Sequence, residues 1–120
     1  MKILHVLSQR PDSTGSGIYV QAMIREATAC GYGNFLVAGL SSTTHDYTYC
    51  IEREKSIFVD FNTVELPFHI PDMSDVMPYD STRFCDLSEK ELDVYEKAVS
   101  DSLQTAVNRF DPDIIHSHHL

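Results

Sequence analysis

Residues 2–39, KILHVLSQRPDSTGSGIYVQAMIREATACGYGNFLVAG, decide the fold of this chain. The apolar run Lys2–Ser8 is typical of a parallel strand that is covered on both faces. A loop rich in Pro, Ser, Thr and Gly, Gln9–Gly17, follows it, and the apolar residues of Ile18–Cys30 recur at helical spacing. Asn34–Gly39 is a second short apolar run. The stretch therefore predicts a strand–loop–helix–strand unit with parallel strands.

The middle of the chain is less regular. Ser56–Phe61 predicts a third strand, whereas Tyr47–Arg53 fits either a strand or a loop. Thr63–Leu87 contains three prolines and several Asp and Ser residues, and it predicts a long loop. A loop of this length either covers a ligand cleft or packs its own apolar residues on the sheet, and composition does not separate the two.

The clearest helix signal lies in the last third of the chain. Ser88 followed by Glu91 is a capping-box pattern, and an apolar stripe runs from there to Phe110. Asp111–Pro112–Asp113 ends the helix, because a residue before proline is displaced from the α region. We interpret this Asp-x-Asp triplet as a turn and not as a metal–nucleotide site. Ile114–Ile115 predicts a final strand that leads into histidines.

These elements predict an α/β fold with a Rossmann-like, open and mostly parallel sheet. The 120 residues suffice for one domain, here residues 1–120, and 42% of them are hydrophobic. Two helices are few for covering both faces of such a sheet. We therefore expect the chain to be one domain cut from a longer protein.

Charge and cysteine content narrow the classes of partner and compartment. The net charge of −9 disfavours nucleic acid and anionic membrane surfaces as partners. No apolar run approaches the roughly 20 residues of a membrane span, and the first run is too short for a signal peptide. The three cysteines show no pairing or metal pattern, so we expect reduced thiols and a cytoplasmic protein.

Gly15, Ser16 and Gly17 lie between the first strand and the first helix, where α/β folds bind anions. Glycine lets the backbone come close to a ligand, Ser16 adds a hydroxyl, and Arg10 in the same loop could supply positive charge. The third glycine of a dinucleotide fingerprint is replaced by Val20, and no lysine follows the loop as in a P-loop. Ligand binding and a tight turn with a helix cap both remain as interpretations.

Histidines 116, 118 and 119 stand at the end of the last predicted strand. Side chains alternate along a strand, so His116 and His118 share a face, and parallel sheets bind ligands at this edge. We interpret His118, at the tip, as a site residue, His116 as a buried structural histidine and His119 as incidental. A metal site would need further ligands, and the sequence marks none, so we predict no metal.

Taken together, KILHVLS, the Gly15–Ser16–Gly17 loop, Gly31–Tyr32–Gly33 and DPDIIHSHHL (residues 111–120) resemble the N-terminal domain of GT-B fold glycosyltransferases of family 4. The resemblance covers essentially the whole chain, and DPDIIHSHH is its most specific part. The chain departs from the family in the glycine loop, where Ser16 separates two glycines that are usually adjacent.

This resemblance implies a retaining transferase that moves a sugar from a nucleoside-diphosphate donor to an acceptor hydroxyl without a metal or another cofactor. It implies that this domain mainly binds the acceptor, that the Gly15–Gly17 loop lies near the donor phosphates or the acceptor, and that His118 lies beside the transferred sugar. The groups that stabilise the leaving diphosphate belong mostly to a C-terminal donor domain. The chain alone is therefore expected to be inactive, and its uncovered sheet to favour self-association.

Two other classes share parts of this pattern. A flavodoxin-like or receiver-like binding module would have a similar sheet, although a receiver needs acids where Ser8, Gln9 and Arg10 stand. A nucleotide-sugar epimerase with the GT-B fold would share the glycine loop and the histidine tip.

Overall fold

The chain is built on parallel β-structure, which a computed structural model describes over residues 1–12, 14–41, 51–73 and 76–118. The described residues contain six strands: β1 (Lys2–Val6), β2 (Gly33–Ser41), β3 (Ser56–Phe61), β4 (Ile70–Asp72), β5 (Ser81–Arg83) and β6 (Ile114–Ser117). Two α-helices accompany them, α1 (Gly15–Ala29) and α2 (Glu89–Phe110). Short 3₁₀ turns at Arg53–Lys55 and Phe84–Asp86 complete the regular structure.

The main sheet has four strands in the order β3-β2-β1-β6, all parallel. β1 and β2 occupy its centre, which explains their nearly continuous apolar sequences. Leu4 of β1 lies opposite Phe35 of β2 on one side and Ile115 of β6 on the other. This confirms the predicted α/β fold with a Rossmann-like, open parallel sheet.

The two helices cover opposite faces of this sheet. Val20 and Ile24 of α1 belong to a buried cluster with Leu36, whereas Ala106 of α2 belongs to a separate cluster with Leu4. Side chains of successive strand residues point to opposite faces, so the two clusters form on the two sides of the same strands. β2 thus contributes to both halves of the core, with Leu36 on one side and Phe35 on the other.

Helix α1 begins earlier than the sequence predicts. It starts at Gly15 instead of Ile18, because Thr14 caps it with extended backbone and its Oγ1 accepts a hydrogen bond from the Gly17 amide at 2.9 Å. The glycine segment is therefore the first turn of the helix, and the preceding loop ends at Thr14. Near the other end of the chain, the Ser88 and Glu91 capping box forms as predicted, with both hydrogen bonds present.

The region 63–87 is not the structureless loop that its prolines suggest. β4 and β5 lie within it and pair in parallel, with Ile70 opposite Ser81. Leu66 and Leu87 are buried with Ile70 in a cluster that also contacts α2, whereas Met73 is 88% exposed. The buried residues of this region, which pack against α2, therefore belong to the core of the domain. Most of Tyr47–Arg53, the other ambiguous segment, lies outside the described residues.

Candidate functional site at the carboxyl edge of the sheet

The strand order creates a topological switch point between β1 and β6. From β1 the chain passes through α1 on one face to β2, whereas β6 is reached through α2 on the other face. The connections diverge there, which opens a crevice at the carboxyl ends of these two strands, the usual ligand site of open α/β sheets. The Gly15–Gly17 turn follows β1 and His118 follows β6, so both predicted site segments lie at this edge.

Three histidines, His5, His116 and His118, meet beside this edge, and we call them the histidine cluster. One ring nitrogen from each lies within 4.8 Å of the other two. His5 Nδ1 and His118 Nε2 are 3.3 Å apart, and the rings of His116 and His118 stack with centroids 4.1 Å apart. The His118 amide also donates to the Val6 carbonyl at 2.9 Å, which extends the β1–β6 ladder beyond β6 and fixes the histidine backbone.

His5 is fully buried, and its ring orientation is set by Asn34 at the start of β2. The Asn34 amide group donates to Thr28 Oγ1 at 3.0 Å and to the Tyr32 carbonyl at 3.2 Å, so its oxygen faces His5. His5 Nε2 must then donate to Asn34 Oδ1, which lies 2.9 Å away. This leaves the Nδ1 lone pair of His5 directed toward the cluster.

The electrostatics of His5 agree with a neutral ring. Burial lowers the pKa of His5 below its ordinary value, because the charged imidazolium would lose its hydration. The hydrogen bond to Asn34 acts in the opposite direction, and the nearby charge of His116 lowers the pKa of His5 further. A buried neutral imidazole with a fixed tautomer is a preorganised hydrogen-bond acceptor or metal ligand.

The two glycines of the predicted loop have different surroundings. A Cβ on Gly17 would lie 2.7 Å from backbone atoms of Arg10 and Pro11, so this glycine is required for close packing of the loop on the helix. A Cβ on Gly15 would meet nothing within 4 Å. Helical geometry leaves the N–H groups of Gly15 and Ser16 unsatisfied within the helix, which suits an anion.

Arg10 is held by its own loop. Its guanidinium binds the Asp12 carboxylate through Nε at 3.1 Å and Nη2 at 2.8 Å, and it stacks 5.5 Å from the Tyr79 ring centroid. Its charge is therefore already balanced by Asp12. A role for Arg10 in donor or acceptor binding stays a prediction, and the contacts favour a role in holding the loop.

A buried carboxylate organises the polar side chains next to Arg10. Asp72 accepts hydrogen bonds from Gln9 Nε2 at 2.7 Å and from the Tyr79 hydroxyl at 3.0 Å. Burial, reinforced by the Asp72 carboxylate, raises the pKa of Tyr79, so the phenol keeps its proton and remains the donor. Gln9 Oε1 is buried and has no hydrogen-bond partner among the described residues.

A cavity of about 190 Å³ opens at the same edge but on the α2 face. Its lining is mainly apolar and includes Val6, Phe61 and Tyr95, together with Ser8 and Ser117. Val6 and His5 are neighbours in β1 and point to opposite faces, so the cavity and the histidine cluster flank the sheet. The carboxyl edge thus offers two different environments, one apolar and one rich in imidazole.

The sequence predicts His118 and the Gly15–Gly17 segment as site residues, and it does not predict two residues that contact His118. His5 resembles an ordinary core residue of an apolar strand, and only its register opposite His116 reveals its role. Tyr19 lies on the exposed side of α1 with its ring edge toward His118 at a centroid distance of 6.1 Å. His119 lies outside the described residues.

Comparisons with known proteins leave the family of this chain unassigned. No protein-family model, curated protein or solved structure matches it. Among the described residues, no helix combines the length and the apolar character of a membrane span. Cys30 and Cys85 are free and exposed. The function must therefore be argued from the geometry of the carboxyl edge and from the motifs that form it.

Proposed function

We propose that this chain is the acceptor-side N-terminal domain of a retaining glycosyltransferase that uses a nucleoside-diphosphate sugar. One observation carries the proposal. The sheet has the order of half a Rossmann fold, and the Gly15–Gly17 turn and His118 follow the two neighbouring strands, β1 and β6, that flank its topological switch point. This arrangement agrees with the family resemblance of the two motifs.

The chemistry of the edge suits a phosphorylated sugar donor. The first turn of α1 contains no acidic residue, and its free amides and helix dipole favour negative charge. Gly15 is open enough for a phosphate to contact the backbone. The imidazole of His118 stands at the same edge of the sheet, and a ring nitrogen that turns away from His5 can bind a sugar hydroxyl. No metal is required for these contacts.

The cavity on the α2 face suits the acceptor. Its walls are apolar side chains, while Ser8 and Ser117 bring hydroxyl groups to its lining. An acceptor that buries an apolar portion there would keep its reacting hydroxyl at the carboxyl edge. Because a site of this kind is mostly apolar with few polar groups, orientation would come from those serines.

Donor binding can be tested on the chain itself by NMR. Titration of the ¹⁵N-labelled chain with UDP-, ADP- or GDP-glucose, in buffer treated with a metal chelator, should shift the amides of Gly15 and Ser16 and the ring signals of His118. His118→Asn should weaken the response, whereas His69→Asn, outside the switch point, should not. No shift with any donor, or shifts confined to residues remote from this edge, would contradict the proposal.

Turnover is tested in the complete protein. His118→Ala should lower the release of nucleoside diphosphate about 100- to 1000-fold, the usual cost of losing one hydrogen bond to the transition state. The far-ultraviolet circular dichroism should not change. Unchanged turnover would remove His118 from the site, and sugar interconversion without diphosphate release would instead indicate an epimerase.

A further inference from the structure

We propose that the histidine cluster is a binding site for a divalent transition-metal ion, with Zn²⁺ as the ion that fits best. The ligands are Nδ1 of His5, Nε2 of His118 and one ring nitrogen of His116. The fourth position is left to water. This site goes beyond the proposed transferase, which needs no metal, and its existence does not depend on that function.

The separation of the nitrogens fits a tetrahedral ion. Two ligands bonded at about 2.0–2.1 Å to a tetrahedral centre lie about 3.3–3.4 Å apart, whereas neighbours at right angles lie about 2.9 Å apart. His5 Nδ1 and His118 Nε2 are separated by 3.3 Å, which is also the length of a hydrogen bond between them, so an ion would take the place of that bond. The remaining separations do not exceed 4.8 Å, so the His116 ring, which is stacked on His118, must turn toward the ion to complete the site.

The surroundings of His5 are those of a prepared metal ligand. Metal-bound imidazoles usually donate their second N–H to an oxygen, which fixes the tautomer and aims the lone pair. Asn34 Oδ1 takes this role at 2.9 Å, and its own amide group is anchored by Thr28 and Tyr32. The lone pair of His5 Nδ1 is thereby directed at His118 before any ion enters.

Ligand chemistry and access select the class of ion. Three imidazole nitrogens suit zinc, copper or nickel, whereas magnesium and calcium prefer oxygen ligands. Among the former, zinc is the ion for which three histidines with an open fourth position are an established ligand set. His116 and His118 stand at the end of an edge strand and are only half-buried, so an ion can enter from solvent. Three protein ligands and one open position also match the usual pattern of zinc sites that exchange a ligand.

Zinc binding should compete with the sugar contact. Nε2 of His118 faces His5, so it reaches a sugar hydroxyl only if the ring turns away from His5, and an ion bound by all three histidines would prevent that turn. If the proposed transferase is correct, Zn²⁺ therefore inhibits it, and the protein is active after a chelator has removed the ion. This consequence alone rests on the proposed function.

Zinc affinity is measured by titrating the 120-residue chain against a chromophoric chelator. We expect one Zn²⁺ per chain and no comparable binding of Mg²⁺. Loss of a residue that only hydrogen-bonds to a metal ligand weakens binding about 10- to 100-fold. His116→Asn and His118→Asn should each weaken zinc binding by more than this. The matched control His69→Asn should bind like the wild type. Equal affinity of the cluster variants and the control, or one ion per two chains, would overturn the site.

His5 needs a readout that avoids substituting a buried residue. In ¹⁵N spectra of the histidine rings, zinc should shift Nδ1 of His5 and Nε2 of His118, while the Nε2 proton of His5 stays in place. Zinc shifts at His116 and His118 without any at His5 would refute the three-histidine site. A titration of the chelator-treated chain with a nucleotide-sugar donor distinguishes the two proposals. Zinc binding without donor binding would contradict only the proposed transferase.

Discussion

Gly15 and Gly17 are two residues apart in the first turn of α1, yet only one of them is packed. A methyl group on Gly17 would meet the backbone of Arg10 and Pro11 at 2.7 Å, and a backbone cannot swing aside as a long side chain can. We expect Gly17→Ala to lower the free energy of unfolding by about 1–3 kcal/mol, the usual cost of overpacking. Gly15→Ala should be neutral or stabilising by up to about 1 kcal/mol, because alanine favours helix.

Urea denaturation of the two variants measures this difference. The same pair separates packing from ligand binding, since Gly15→Ala places a methyl group on an exposed turn without disturbing the fold. A donor that contacts this turn should bind Gly15→Ala more weakly although its stability is kept. Equal stability of the two variants would mean that Gly17 is not a packing glycine.

Asn34 is the residue on which the orientation of His5 depends. Asn34→Ala would leave the buried Nε2–H of His5 without its acceptor, and an unsatisfied buried donor costs about 1–3 kcal/mol. We expect a loss of this size in the free energy of unfolding, measured by urea denaturation. Asn108→Ala is the control, because Asn108 binds Gln104 on the exposed side of α2. Equal losses of unfolding free energy in both variants would show that the buried hydrogen bond contributes no more to stability than the exposed one.

At the scale of elements, α2 shows how a local signal determines a boundary. The Ser88 hydroxyl accepts from the Glu91 amide at 3.1 Å, and the Glu91 carboxylate accepts from the Ser88 amide at 2.9 Å. Ser88→Ala should lower the free energy of unfolding by about 1 kcal/mol and speed amide exchange in the first turn of α2. Ser100→Ala, exposed within the helix, should not destabilise it. Amide exchange in the first turn of α2 that is as slow in Ser88→Ala as in the wild type would contradict a capping role.

Elements with strong local signals could be predicted from the sequence, and those that depend on distant contacts could not. The strand at Ser56–Phe61 and the cap at Ser88 needed only apolar runs and a short motif. β4 and β5 are three residues each. They pair with each other, and Ile70 of β4 is buried in the cluster that contacts α2, which no local pattern encodes. The start of α1 was missed because its two glycines suggest a loop, whereas the Thr14 cap outweighs them.

The same distinction applies to the candidate site at the scale of the whole molecule. His118 could be placed at a sheet edge from the order of elements along the chain. His5 could not, because its meeting with His116 depends on β6 pairing with β1 and on the register of that pair. The sequence shows two histidines at this edge, and the third member of the cluster becomes visible only with the register of β1 and β6. Sheet order, rather than any motif, brings the cluster together.

The exposed edge of the sheet is the last property of the whole molecule that bears on its behaviour. β6 lies at an edge of the main sheet as the described residues form it, and Ile114 and Ile115 are 47% and 58% exposed. Exposed apolar edge strands pair readily with a second copy, which agrees with the self-association expected from sequence. We therefore expect association that increases with protein concentration in sedimentation velocity, in chelated buffer so that zinc cannot bridge two chains.

A charge on that edge should oppose the association. Ile115→Lys adds a residue that natural edge strands use against pairing, so the variant should sediment as a monomer over the concentration range where the wild type associates. Val64→Lys is the matched control, because Val64 is 93% exposed in the turn after β3 and lies outside β6. If both lysine variants lose association equally, net charge and not the β6 edge controls it. If neither does, the chains meet through another surface.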